Sequence, residues 1–240
     1  MPGFGYKFTS ESCNRNEVTL DILEAMRGRH STRAFLDRDV DLDTVRQVLD
    51  SARWAPSGVN TQPWQVAVVH GEAKQHLSNA LLTARTSGAT EAPDYRYYPS
   101  EWFEPYKERR KRSGLALYQA LNIGRDDVEK RKEAWENNYR FFGAPVGMLF
   151  FVDKRMNQGS WLDLGMFIQN VMLAARAYGL DSCPQASLAD YPEIIRRELQ
   201  MEDHWLVACA LSLGYADTSH PVNQYRTERE PVDAFTRWFD

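Results

Sequence analysis

The sequence lacks most signatures that would assign a metal or a nucleotide. Its three cysteines, Cys13, Cys183 and Cys209, form no C-x-x-C pair, and its five histidines show no metal-ligand spacing. It contains no G-x-G-x-x-G turn, G-x-x-x-x-G-K-[ST] loop, G-x-S-x-G elbow or H-E-x-x-H pair. We therefore expect no metal site, Rossmann site or P-loop. Scattered cysteines also favour a reducing compartment.

Long apolar runs and an excess of positive charge are also missing. No window approaches the roughly 18 apolar residues of a membrane span, and the first sixteen residues contain no apolar core like that of a signal peptide. The formal net charge of −4 gives no reason to expect nucleic acid. These absences predict a cytoplasmic protein that binds neither membranes nor nucleic acid.

The apolar patterns that are present predict one domain over residues 1–240, with helices and strands mixed along the chain. A hydrophobic content of 43% supplies material for a core. The run 64–69 is apolar on both faces, as in a central strand. Helical spacing predicts helices at 18–28, 42–52 (capped by Asp41 or Asp43), 73–84, 126–140, 161–178 and 191–200, and apolar runs predict strands at 64–69, 144–152 and 205–213.

Two polar segments stand out between these elements. Residues 29–35, RHSTRAF, place two guanidiniums, an imidazole and two hydroxyls after Gly28, which predicts an anion site. Residues 55–64, APSGVNTQPW, bend the backbone between a helix and a strand and expose amides. A polar loop in that position favours a ligand.

Taken in order, these segments resemble the R-x-S-x-[RK]-x-F and A-P-S-x-x-N-x-Q-P-W motifs of the FMN-dependent nitroreductase family. The resemblance runs from about residue 20 to 235. It implies an α+β fold with a mostly antiparallel central sheet wrapped by helices, and an intertwined homodimer with two FMN sites at the subunit junction.

The segment 161–178 is apolar on nearly every side of a helix, which indicates burial all round. It can be a core helix. Its Q-N-x-x-L-A-A-x-x-x-G-L pattern, residues 169–180, also resembles the family helix at the centre of the dimer interface. Both interpretations stay open at this stage.

The resemblance also implies the cofactor contacts. Arg29 and Arg229, the latter in an R-x-P position, are expected at the FMN phosphate, and Arg33 beside the ring edge that gains negative charge on reduction. Many relatives carry a second base where Thr227 stands, so that contact is weakened or supplied by Arg226. The expected cofactor-binding residues are Arg29, His30, Ser31, Arg33, Pro56, Ser57, Asn60, Gln62, Pro184, Gln185, Ala186, Ser187 and Arg229.

Three of these expectations are more specific. The backbone amide of Ala186 is expected near the reactive flavin nitrogen, so no side chain is expected to be catalytic. His30, between two arginines, is expected to pack or bond backbone rather than act as an acid or base. Cys183 has no evident base beside it and is expected to be a small buried residue.

Residues 87–114 change character, with aromatics and prolines followed by the basic run 107–112. No helical or strand period continues through the prolines, so we interpret this segment as an inserted flap, and residues 216–240 as a C-terminal extension. The flap is either a surface loop pinned by its aromatics, with a solvated basic face, or a lid over an aromatic substrate with a cation near an acidic substituent. The lid candidates are Tyr97, Trp102, Phe103 and Tyr106.

The resemblance implies a ping-pong oxidoreductase in which NAD(P)H reduces FMN and a nitroaromatic compound or quinone then takes the electrons. The aromatic insertion and the run 141–147 are most similar to the nitrobenzoate or nitrotoluene branch. Two alternatives remain: a reductive dehalogenase or flavin-modifying enzyme on the same scaffold, and a flavin-binding protein without turnover.

Overall fold

The computed structural model describes residues 20–239. Cys13 and the predicted start of the first helix at Val18 lie outside the described residues. The described part contains helices and strands in mixed order. They are α1 (Ile22–Gly28), α2 (Leu42–Ala52), β1 (Gln65–His70), α3 (Gly71–Ser87), α4 (Tyr106–Ala120), α5 (Val128–Glu136), β2 (Val146–Asp153), α6 (Gln158–Ala177), β3 (Asp181–Gln185), α7 (Pro192–Leu199) and β4 (Trp205–Gly214).

The four strands form one sheet in the order β1-β2-β4-β3, and every neighbouring pair is antiparallel. The prediction of an α+β fold with an antiparallel sheet is therefore confirmed. The prediction that 64–69 is a central strand is wrong, because β1 is an edge of the sheet over the described residues and only Val69 in it is buried. Its apolar residues instead pack partly buried under neighbouring helices.

Strand β2 shows how the sheet divides the core. All eight of its residues are buried, and successive side chains point to opposite faces of the sheet. Met148 and Phe150 join a cluster with α2 and α6, whereas Leu149 and Phe151 join a second cluster with α3 and α7. The sheet is therefore covered by helices on both faces, which makes β2 apolar throughout rather than alternating.

Local sequence signals explain where the early helices begin. Asp21 caps α1 by accepting hydrogen bonds from the backbone of Leu23 and Glu24, and Asp41 caps α2 through the backbone N–H of Asp43. An uncapped helix start leaves backbone N–H groups without partners, so these aspartates fix the first turns. Of the two candidate caps for α2, the structure selects Asp41.

The flap is part coil and part helix. Residues 88–105 contain no helix or strand, but α4 begins at Tyr106, directly after Pro105. No helix or strand runs through the prolines, as expected, and the helix in the second part of the flap starts only after the last of them. Proline is tolerated at a helix start, so the last proline marks where the helix can begin.

Within residues 20–239, no helix is both long and apolar enough to cross a membrane. The same residues contain no group of three or more His, Cys, Asp or Glu side chains that could hold a metal ion.

Candidate functional site

The segment 29–35 is fixed between the sheet and the C-terminal part of the chain. Ser31 forms a parallel bridge with Ser182 in β3, and the backbone N–H of Thr32 donates to the Ser182 carbonyl at 3.0 Å. Phe35 forms an antiparallel bridge with Ala216, just beyond β4. Segment 29–35 and β3 therefore lie side by side, as the two halves of one site require.

Asn223 joins this segment to the C-terminal extension. Its Oδ1 accepts from the backbone N–H of Arg33 at 2.8 Å, and its Nδ2 donates to the Ala34 carbonyl at 2.7 Å. The side chain is almost fully buried. Sequence analysis missed this residue, since nothing distinguishes one asparagine in a polar tail from another.

Arg29 and Arg229 are the pair predicted at the phosphate, and each is close enough for the other's charge to act on it. Burial and then the charge of Arg229 lower the pKa of the Arg29 guanidinium, which places the two cations within electrostatic reach of each other. Arg226 acts on the neighbouring His30: burial first, and further its charge, lower the pKa of that imidazole. His30 itself contacts the Gly28 carbonyl through Nδ1 at 3.2 Å, so it bonds backbone as expected.

The arginines of this cluster bond only neutral acceptors among the described residues. Arg33 Nη1 donates to Tyr225 Oη at 3.2 Å and to the Ser31 carbonyl at 3.4 Å. Arg226 donates to backbone carbonyls, and Arg229 to the Thr227 hydroxyl and nearby carbonyls. Like charges brought together without a carboxylate cost free energy unless an anion lies between them.

The neighbouring Arg176 shows the contrast, because it forms an ion pair with Asp181 at the start of β3. The chain therefore supplies a carboxylate next to the cluster but leaves the cluster itself with net positive charge. That arrangement suits a phosphate, whose oxygens match the planar fork of arginine.

Several buried polar atoms at this place lack a hydrogen-bond partner within the described chain. They are His30 Nε2, Thr32 Oγ1, Ser182 Oγ and Ser187 Oγ. Buried hydroxyls and ring nitrogens are normally bonded, and leaving one unbonded costs about 1–3 kcal/mol. Polar atoms without partners beside an uncompensated cationic cluster fit a ligand that carries both an anionic group and several hydrogen-bonding groups.

Strand β3 ends at Gln185, whose side chain already forms hydrogen bonds within the chain. It is buried, donates to the Asn138 carbonyl at 2.7 Å and accepts from Ser212 Oγ at 2.5 Å. Only its backbone is available to a ligand. Pro184 is exposed, while Ala186 and Ser187 are partly exposed.

Cys183 lies in β3 beneath segment 29–35 and is buried. Burial raises the pKa of its thiol, against the opposing effects of Arg33, Ser31 and Arg29. A buried thiol with a raised pKa is a poor nucleophile. The structure therefore supports the interpretation of Cys183 as a small core residue.

The second polar segment lies far from the first within one chain. Gly58 N–H donates to Asp163 near the start of α6 at 3.2 Å, whereas Gly28 approaches Arg176 near its end. Arg176 comes thirteen positions after Asp163 in α6. At about 1.5 Å of rise per residue, the two positions lie about 20 Å apart along the helix axis. The structure therefore does not bring Pro56, Ser57, Asn60 and Gln62 to the cluster of the same chain.

This loop is exposed and held in an unusual backbone conformation. Val59 has φ +46° and is 98% exposed, and Asn60 and Gln62 also have positive φ. The loop is stabilised locally, because Ser57 Oγ accepts from the backbone of Gln62 at 2.9 Å. A β-branched residue in the left-handed region is strained, and such strain concentrates at functional sites.

The flap has a fixed root and exposed aromatics beyond it. Asp94 accepts from Arg196 at 2.7 Å and from the backbone of Val207 at 2.8 Å, and Tyr95 Oη donates to the Ala208 carbonyl at 2.5 Å. Asp94 and Tyr95 therefore fix the start of the flap to α7 and β4. Of the lid candidates, Trp102 is partly exposed, and Tyr97, Phe103 and Tyr106 are exposed.

Comparison with known proteins places this geometry in context. The model of the nitroreductase family matches residues 26–215. The chain is 40% identical to a 4-nitrobenzoate reductase of Nocardioides sp. (strain LMS-CY), covering 93% of each protein. It is 38% identical to a nitrobenzene nitroreductase of Ectopseudomonas oleovorans, covering 90% of this chain and 95% of the relative.

A solved structure shows the same architecture. The FMN and NADPH-dependent nitroreductase NfnB from Sphigopyxis sp. strain HMH superposes with a TM-score of 0.90 at 38% identity, covering 92% of this chain and all of that one.

Proposed function

The chain belongs to the nitroreductase family, and from this premise we propose that it is an FMN-dependent oxidoreductase that uses NAD(P)H to reduce nitroaromatic compounds or quinones. The observation that carries the proposal is the cluster of Arg29, Arg226 and Arg229, which lacks a carboxylate partner among the described residues. When bound, FMN accepts a hydride from NAD(P)H and passes two electrons to the acceptor.

The residues of the chain supply position and charge. Arg29 and Arg229 would hold the phosphate, and Arg226 takes the part of the second base that Thr227 does not provide. Thr227 instead accepts a hydrogen bond from Arg229 at 2.8 Å, which orients that guanidinium. Arg33, fixed by Tyr225 and Asn223, keeps a positive charge beside the site, where it would stabilise a ring that becomes more negative on reduction.

A homodimer explains the separation of the two polar segments. The outer face of α6 exposes Leu162, Gly165, Met166 and Gln169, which follow helical spacing and form one stripe. If two copies pack these stripes about a twofold axis with the helices antiparallel, the start of one α6 lies beside the end of the other. The loop 57–62 of each chain then reaches the arginine cluster of its partner.

This arrangement resolves the two interpretations of α6. One face is buried in the core of its own chain, and the apolar stripe opposite is left for a second copy. It also gives the strained loop a ligand to contact. We place the enzyme in the cytoplasm, where NAD(P)H is supplied and where its two described cysteines remain free thiols.

For the acceptor we propose an aromatic ring with an electron-withdrawing nitro group, held beneath the flap. The exposed rings of Phe103 and Tyr106 contact each other edge to face, with their ring centroids 5.2 Å apart. Such exposed aromatic rings suit a flat apolar substrate. The names of the relatives support both a neutral and a carboxylated substrate.

Steady-state turnover tests this proposal. Purified protein with FMN is mixed with NADPH or NADH and, separately, 4-nitrobenzoate, nitrobenzene and benzoquinone. We expect saturable oxidation of the nicotinamide with parallel lines in double-reciprocal plots. Rates no faster than those of free FMN with NADPH would overturn the proposal.

A further inference from the structure

Helix α4 is joined to the segment that carries the proposed phosphate ligands. Arg109 Nε pairs with Glu230 at 2.9 Å, and Arg112 pairs with Glu228 at 3.1 Å and with Glu230 at 3.5 Å. The two glutamates stand on either side of Arg229 in the sequence. The basic run of the flap is therefore neither wholly solvated nor wholly available to a substrate.

The joined segment has little else to hold it. Residues 225–231 contain no helix or strand, and the side chains from 226 to 230 are exposed. Arg229 bonds only to its immediate neighbours, Thr227 and Glu228, among the described residues. Among the described residues, the ion pairs with α4 are therefore the polar side-chain links from 228–230 to another element of the fold.

The same arginine also contacts the lid. The Arg109 guanidinium lies 5.5 Å from the ring centroid of Tyr106, and Tyr106 contacts Phe103. A set of contacts therefore runs from the exposed lid aromatics through Arg109 to Glu230, which follows Arg229 in the sequence. Arg109 thus contacts both the lid, through Tyr106, and the proposed phosphate segment, through Glu230.

We propose that Arg109 and Arg112 are positioning residues that preorganise the C-terminal phosphate segment, so that the flap helix sets how tightly FMN is held. The inference rests on the proposed FMN function. Ordering a flexible segment during binding weakens affinity, and fixing it beforehand removes that cost. Each partly exposed ion pair contributes little alone, but three contacts on one short segment act together.

A positioning role and a purely electrostatic role predict opposite changes in FMN affinity for one variant. Removing the carboxylates of Glu228 and Glu230 makes the surroundings of a phosphate more positive, which by charge alone strengthens FMN binding. If the carboxylates serve to fix Arg229, the same change weakens binding. The sign of the effect therefore distinguishes the two roles.

The experiment measures FMN affinity of the full-length apoprotein by quenching of flavin fluorescence. We expect Glu228→Gln with Glu230→Gln, and separately Arg109→Gln with Arg112→Gln, each to weaken FMN binding by about five-fold. All four changes together should weaken it no further than either pair, because both pairs remove the same contacts. Arg109→Lys with Arg112→Lys should stay within about two-fold of wild type, since the charges remain.

The matched control is Lys107→Gln with Lys111→Gln, which removes the same charge from the same helix without touching Glu228 or Glu230. It should leave FMN affinity within about two-fold of wild type, and thermal unfolding of each apoprotein verifies folding. Tighter binding in the Glu228 and Glu230 variant, or equal losses in the lysine control, overturns this inference alone. A wild-type protein that binds no FMN overturns it together with the proposed function.

Discussion

Arg29 and Arg229 come from opposite ends of the chain, yet the charge of Arg229 helps to lower the pKa of Arg29. Segment 29–35 is bridged to β3, and Asn223 ties the C-terminal extension to Arg33 and Ala34. The fold thus uses backbone and amide hydrogen bonds to bring two cations together that would otherwise repel. We propose that a bound phosphate offsets this repulsion.

Neutralising either member of this pair should release FMN. We expect Arg29→Gln and Arg229→Gln each to weaken FMN binding by about 10- to 100-fold, the range for one hydrogen bond to a charged group. Flavin fluorescence titration of apoprotein measures it. Arg46→Gln is the control, because Arg46 lies on the exposed face of α2 with only a long contact to Asp43. Unchanged affinity in both site variants would place the phosphate elsewhere.

Gln185 should matter for folding more than for the cofactor. Gln185→Met keeps the shape of the side chain but leaves the Asn138 carbonyl and Ser212 Oγ without their partner in the core. We expect the free energy of unfolding of the apoprotein to fall by about 1–3 kcal/mol in urea titrations. FMN affinity should stay within about two-fold, since only the backbone of Gln185 can reach a ligand. Loss of FMN affinity at unchanged stability would show instead that the Gln185 side chain contacts the cofactor.

The exposed stripe of α6 should carry the dimer. Leu162→Glu with Met166→Glu places charge on side chains that are 72% and 39% exposed in the single chain. We expect the dimer dissociation constant to rise by at least about 100-fold, because charge in an interface core is poorly tolerated. FMN binding should weaken with it, since loop 57–62 then has no partner site.

Analytical ultracentrifugation with an FMN titration checks this. Val128→Glu, on an exposed apolar residue of α5, is the matched control and should leave the assembly intact. A stripe variant that sediments as a dimer with wild-type FMN affinity would refute the antiparallel packing of α6.

His30 should make the apoprotein less stable in mild acid. Burial first, and then Arg226 and Arg176, lower its pKa below the usual 6.5, against the Gly28 carbonyl and Asp181. The unfolded chain therefore binds a proton more readily than the folded one, and stability is lost as pH falls through about 6.5. Urea unfolding from about pH 8 to pH 5 should show a smaller loss for His30→Gln than for wild type. Identical pH profiles would show that His30 is not linked to folding.

Much of the fold was readable because each element carries its own local signal. The all-apolar run of β2, the cap at Asp41 and the glycine that ends α1 all reflect short-range chemistry. The edge position of β1 was not readable, because helices cover it and make an edge strand as apolar as a central one. The start of α4 was obscured by prolines that precede the helix rather than interrupt it.

The site was readable only where residue type alone dictates chemistry. The two arginines and two hydroxyl groups of segment 29–35 indicate an anion from residue type alone. Asn223, and the pairing of Arg109 and Arg112 with Glu228 and Glu230, depend on contacts between distant residues, which no local pattern encodes. The distance between loop 57–62 and Arg29 likewise follows from the length of α6, and in the proposed dimer the two come from different subunits.

The most direct test of the central claim is an absorbance spectrum of the purified protein, recorded before and after anaerobic addition of NADPH. We predict a yellow protein with the visible bands of bound flavin, which bleach on NADPH addition and return when 4-nitrobenzoate is added. A colourless protein that FMN does not reconstitute, or one that stays yellow with both NADPH and NADH, would contradict the account.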